Sequence, residues 1–114
     1  MNIFISKKLY DGDAEGFDDF CKASFGARVA KVVSRRLSTA KAASNLHTLL
    51  QPGFPGRWEW LKGDRKGQVS ARLDGGKRLI FVPTDKPEAY LDEKGDVDDH
   101  KIEDMILIEV IDYH

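Results

Sequence analysis

Leu61-Lys62-Gly63-Asp64-Arg65-Lys66-Gly67-Gln68, continued by Val69-Ser70-Ala71-Arg72-Leu73-Asp74-Gly75-Gly76-Lys77-Arg78-Leu79-Ile80-Phe81-Val82, is the stretch on which the fold turns. Residues 68–73 alternate polar and apolar, as a half-buried strand does. Asp74-Gly75-Gly76-Lys77 reads as a turn, because glycine accepts the positive φ angles that tight hairpins require. Residues 78–82 return as a second strand. Two registers are open. A Gly75-Gly76 loop pairs Leu73 with Arg78 and puts Arg72 on the other face. A loop of residues 75–77 pairs Asp74 with Arg78 and puts both arginines on one face. Seven basic residues fall here: Arg57, Lys62, Arg65, Lys66, Arg72, Lys77 and Arg78. Only Glu59, Asp64 and Asp74 oppose them.

Working outward, Arg57 to Leu61 reads as a strand with Trp58 and Trp60 on one face. Core packing is their expected role, with base stacking the alternative. Residues 51–56, Gln-Pro-Gly-Phe-Pro-Gly, end whatever precedes them. Residues 27–50 are the best helix candidate: Val29, Val33, Leu37 and Ala40 recur at helical spacing, while Lys31, Arg35, Arg36 and Lys41 fall off that line. The basic face is read as solvated, or as a surface for nucleic acid or an acidic partner. Residues 7–21 are helical in part, with Leu9, Phe17 and Phe20 toward the core; Gly12 and Gly16 blur the boundaries. Residues 1–6 form a first strand.

On the other side, residues 83–101 read as an acidic surface loop with a short strand near Ala89-Tyr90-Leu91. Its carboxylates have no EF-hand spacing, and His47 and His100 read as surface residues. Residues 105–111 are nearly continuously apolar, which predicts a central strand buried on both faces. If strand geometry continues, Asp112 and His114 point to one face and Tyr113 to the other.

The whole is one α+β domain over residues 1–114, with 41% hydrophobic and 32% charged residues, a soluble globular composition. The lone Cys21 excludes an internal disulfide, and three scattered histidines make no zinc pattern, so no metal or cofactor is expected. No apolar run is long enough for a bilayer span and no signal peptide is recognisable, so the cytoplasm is the expected compartment. The net charge of −1 hides an asymmetry. Residues 20–82 hold 13 Lys/Arg against 3 Asp/Glu, and residues 83–114 hold 3 against 11. A basic middle with no acidic residue from 21 to 58 suggests a polyanion-facing surface.

The motif Leu61-Lys62-Gly63-Asp64-Arg65, with Gly67, then Ser70-x-Arg72, a turn, and Arg78-x-x-Phe81, resembles the HigB branch of the RelE/ParE toxins. The ending Asp112-Tyr113-His114 is similar to that of many HigB-like chains. The resemblance implies a RelE-like fold, a twisted β-sheet with two N-terminal helices packed on one face. It implies the toxin of a type II toxin–antitoxin pair, a ribosome-dependent mRNA endonuclease that inhibits translation. The implied partners are a helix-turn-helix antitoxin of HigA type, mRNA on the ribosome, and operator DNA through the antitoxin complex; no membrane is involved.

RNA can be cut without metal by its own 2′-OH. The protein must accept that proton, offset charge on the phosphorane-like transition state and help the 5′ oxygen leave. By resemblance the catalytic residues are Lys62, Arg78, Asp112, Tyr113 and His114. Asp112 and His114 move protons, Tyr113 orients or stacks on a base, and Lys62 and Arg78 stabilise charge. Arg65, Lys66 and Arg72 are expected to bind RNA, Arg72 depending on the hairpin register. One position departs: many relatives carry His two residues before the Leu-Lys-Gly motif, where this chain has Glu59. A carboxylate can act as a base but cannot become a cation, and it repels phosphate. The rival reading is therefore a non-catalytic binding protein on the same fold, either a ParE-like gyrase inhibitor or a degenerate toxin serving as a regulatory subunit.

Overall fold

A computed structural model describes residues 1–112. It contains β1 (Asn2–Ile5), α1 (Ala14–Phe25), α2 (Ala27–Ala42), α3 (Leu46–Leu49), β2 (Glu59–Trp60), β3 (Val69–Arg72), β4 (Lys77–Pro83) and β5 (Asp104–Asp112), in that order. The strands form one sheet ordered β1-β5-β4-β3-β2. β1 runs parallel to β5, and the other neighbours are antiparallel. This is the expected α+β architecture, with the helices on one side of the sheet.

α1 starts at Ala14 rather than near Lys7, because the Asp13 carboxylate caps it and accepts from Gly16 N–H at 2.7 Å. Gly16 has a packing reason, since a Cβ there would collide with the Tyr10 hydroxyl. Residues 27–50, expected as one helix, are two. α2 stops at Ala42, Ala43 is extended, and Asn45 caps α3 by accepting from Thr48 N–H at 3.2 Å. Leu46 N–H meanwhile donates to Ile102 O at 2.9 Å, and the Met1 ammonium donates to the Lys41 and Ala43 carbonyls. Partners outside the helix thus satisfy the groups that a continuous helix would have paired.

The core lies between the helices and one face of the sheet. Val69, Ala71, Leu79, Phe81, Met105 and Leu107 meet Phe17, Cys21, Val33, Leu37, Ala40, Leu46 and Leu49. Both tryptophans join this side. Trp58 is buried against Phe81 at 5.2 Å between ring centroids, and half-buried Trp60 donates from Nε1 to Asp99 at 3.0 Å. Burial lifts the Cys21 thiol to about 11, with the Asp18 charge adding to it.

The expectation of a last strand buried on both faces is corrected. Met105 and Leu107 are buried, but Ile106, Ile108 and Ile111 are only half-buried, because no helix covers the second face. A register shift lies between Ile80 and Phe81, which pair with Glu109 and Leu107 and leave Ile108 as an extra residue. That bulge resets the alternation, so Val110 packs on the core and Glu109 turns to the open face.

The acidic segment is also more ordered than a surface loop. Leu91 bridges Val97 around a turn, instead of the short strand expected at 89–91, and Tyr90 is buried. Asp92 accepts backbone N–H bonds from Lys94 and Asp96. The His100 ring stacks on His47 at 3.8 Å between centroids, fastening the segment to α3. The two histidines, one half-buried and one exposed, are thus a contacting pair.

Candidate functional site

The hairpin turn uses Asp74, Gly75 and Gly76, with φ of 68° and 84° at the glycines, and Leu73 N–H donates to Lys77 O at 2.8 Å. Arg72 is therefore paired directly with Arg78. This is neither register read from the sequence. The loop has three residues but begins one residue earlier, at Asp74. The consequence for the arginines is the one-face arrangement, because cross-strand partners share a face.

Two guanidinium groups on opposed positions repel, and the neighbouring strand supplies the counter-charge. Glu59 of β2 pairs with Ser70 of β3 in the ladder, and its carboxylate accepts from Arg78 Nη1 at 3.0 Å. Arg78 is 21% exposed and Glu59 51%. Ser70 lies on the same face, opposite Ile80. It is fully buried, and its hydroxyl has no hydrogen-bond partner. Across β4, Ile80 opposes Glu109, whose carboxylate accepts from Arg65 Nη1 at 2.6 Å. The same Arg65 nitrogen donates to Gln68 at 2.9 Å.

The Leu-Lys-Gly-Asp-Arg stretch positions Arg65 for this contact. Leu61 N–H donates to Gln68 O, closing the loop, and a 3-10 turn over Gly63–Arg65 brings Lys66 N–H to Gly63 O at 3.1 Å. Gly63 and Gly67 take φ of 64° and 91°, which side-chain-bearing residues seldom adopt. Arg65 turns inward to Glu109, while Lys62 and Lys66 stay exposed at the loop's rim.

The structure thus gathers Arg65, Arg72 and Arg78 of the expected residues on or against one open sheet face. It adds Glu59, Ser70 and Glu109. Asp112 has a different place: it opposes Lys77, with Nζ to Oδ2 at 3.3 Å, while Arg78 opposes Ile111. The register therefore puts Asp112 and Arg78 on opposite faces at the end of β5. Tyr113 and His114 lie outside the described residues. Glu59 was visible in the sequence as a departure but not as the partner of Arg78. Glu109 was the one charge in an apolar run, and that isolation was its only signal.

No family profile matches the sequence, and no curated protein does. Solved structures do match. A YoeB/ParE toxin from Agrobacterium tumefaciens superposes with a TM-score of 0.59 at 17% identity, covering 100% of both chains. The YoeB-YefM complex from Staphylococcus aureus gives 0.54 at 17%, over 100% of this chain and 97% of that one. The YoeB dimer from the same organism gives 0.52 at 18%, with the same coverage. The fold is that of the YoeB/ParE toxins. These structures support the wider RelE/ParE toxin fold and do not single out the HigB branch.

Proposed function

We propose that this protein is the toxin of a type II toxin–antitoxin pair and cuts mRNA on the ribosome without a metal. The observation that carries the reading is the grouping of Arg72, Arg78 and Glu59 on an open sheet face. Guanidinium donors suit phosphate oxygens, and a carboxylate beside them suits a 2′-hydroxyl proton. A scissile phosphate entering the face competes with Glu59 for Arg78. Displaced from Arg78, the Glu59 carboxylate accepts the 2′-OH proton as the 2′ oxygen attacks phosphorus. Arg78, with Lys62 at the rim, offsets the charge that builds on the phosphorane. The 5′ oxygen leaves with a proton from the C-terminal residues, where His114 is our candidate, and a 2′,3′-cyclic phosphate remains. Tyr113 orients the base. Arg65, Lys66 and Arg72 bind the flanking strand.

In this reading Glu59 takes a role that histidine has in HigB-like chains, and its charge is tolerable because Arg78 faces it. The partner is an antitoxin, as in the YoeB-YefM toxin–antitoxin complex of Staphylococcus aureus. A helix-turn-helix antitoxin that carries the pair to operator DNA follows from the HigB resemblance. One observation favours the non-catalytic rival: Arg78 and Arg65 are each neutralised by a carboxylate of the chain itself.

Primer extension on transcripts after brief induction, beside Arg78→Ala, Glu59→Gln and His114→Ala, separates the two. New 5′ ends inside translated codons, lost in Arg78→Ala, support the nuclease. Growth arrest with intact transcripts sinks it and points to gyrase.

A further inference from the structure

Residues 50–59 curl around a concavity of about 480 Å³ that ends on Glu59. Its shape is held by the chain itself. Phe54 N–H donates to Gln51 O at 3.2 Å, Trp58 Nε1 donates to Pro55 O at 2.9 Å, and Arg72 N–H donates to Gly56 O at 2.7 Å. Gly53 and Gly56 take φ of 83° and 108°. Arg57 follows at φ 46° and is the one non-glycine residue at positive φ among those described. Side-chain-bearing residues seldom adopt such angles, and those that do cluster at functional sites.

The same bonds collect positive charge. Arg36 of α2 lies against Gly56, where an added Cβ would come within 2.8 Å of its Cδ. Its Nε donates to Arg72 O at 2.9 Å. Arg36 and Arg57 thus flank one short stretch of backbone, with the main chain of Arg72 between them. Among the described residues, ion pairs engage Arg28, Arg65 and Arg78 but none of these three. Half-buried Phe54 and exposed Pro55 supply apolar lining beside that rim. Apolar rings next to uncompensated guanidinium groups suit a base attached to a phosphate.

We propose that this concavity is a second RNA subsite, holding the ribonucleotide next to the scissile one. Its base lies against Phe54 and Pro55 and its phosphate on the rim of Arg36 and Arg57. The proposal rests on the RNA-cutting reading and extends it, because the concavity adjoins Glu59 and Arg78.

The test is Arg57→Gly. Glycine accepts φ 46° freely, so the fold is kept while the guanidinium is lost. Binding of a fluorescent 2′-O-methyl hexaribonucleotide, which cannot be cut through its 2′ position, is followed by anisotropy across a salt series. The dissociation constant is expected to rise about three- to tenfold. The slope of log affinity against log salt should fall by about 0.7, the loss of one phosphate contact on a single strand. Unchanged affinity and slope overturn the subsite. So does a variant that pellets less with ribosomes but binds the oligonucleotide as before, because the rim then meets ribosomal RNA. Weakened binding in the variant, with transcripts left intact by the wild-type protein, keeps the subsite and removes the nuclease. A wild-type protein that binds no oligonucleotide removes the subsite.

Discussion

The two faces of the sheet are made by the same strands and do opposite things. On the helix side, Leu79, Phe81 and Leu107 are completely buried and form the core. One residue away along β4, Arg78 turns to the other face and meets Glu59. The period of two in a strand lets neighbouring residues answer to different demands. Stability is concentrated on one face, so charge can be concentrated on the other. Ile80 tempers the contrast: it is fully buried yet lies outside the helix-side cluster, beneath the charged face.

The sharpest way to break the contrast is a pair of substitutions at Phe81 and Arg78. Phe81→Ala should cost about 3–5 kcal/mol of stability, because the vacated space cannot close completely. Urea denaturation reads this directly, and a cost below 1 kcal/mol would mean that the core is not where we place it. Arg78→Ala should leave stability within about 1 kcal/mol, as partly exposed ion pairs do. On the proposed nuclease reading its expected loss is in cleavage, roughly 10²–10³-fold, the usual effect of removing a charge-stabilising donor. Equal losses of stability in the two variants would erase the distinction between the faces.

Ser70→Ala sharpens the same comparison on a smaller scale. The hydroxyl is buried without a partner, so removing it should raise stability by about 1 kcal/mol. A clear loss in thermal melting would show that the hydroxyl has a partner, such as a bound water. Cys21 offers a chemical check of the covered face. Its thiol, 1% exposed and lifted to about 11, should not react with a disulfide reagent at pH 8 until the protein is unfolded. Prompt native-state labelling would contradict the packing of α1.

The smallest expected effect lies in the acidic segment. Asp98 accepts from the ring and the backbone N–H of His100, and its carboxyl is held below the ordinary 3.8. Its contribution is therefore present above that value and is lost as pH falls through the lowered folded one. In His100→Ala the Asp98 carboxyl should titrate closer to 3.8, observable by carbon-detected NMR. No movement would show that the ring does not engage Asp98 in solution.

Much of this division is legible in the sequence, and its limits are physical. Residues 68–82 announce two strands because polar and apolar positions alternate over 68–73, glycines mark the turn and an apolar run returns at 79–82. The glycines fix where the chain reverses but not its phase, so the Arg72–Arg78 pairing was out of reach. The break after Ala42 was hidden because helical composition continues across it. What ends the helix is Ile102, far along the chain, and the amino group of Met1. Glu109 was concealed by a bulge, which leaves no mark in an apolar run. Glu59 was read by its charge alone, since its partner lies 19 positions away.

The parallel pairing of β1 with β5 has a consequence in time. Asn2 sits beside Asp104, yet nearly the whole chain separates them. On a ribosome that makes about 5–20 residues per second, β1 waits roughly 5–20 seconds for its sheet neighbour β5. β4 emerges in that interval with one flank still vacant. The sheet closes when β5 enters between β1 and β4. A nascent chain therefore carries Arg72 and Arg78 before it carries the strand that flanks β4 on its other side.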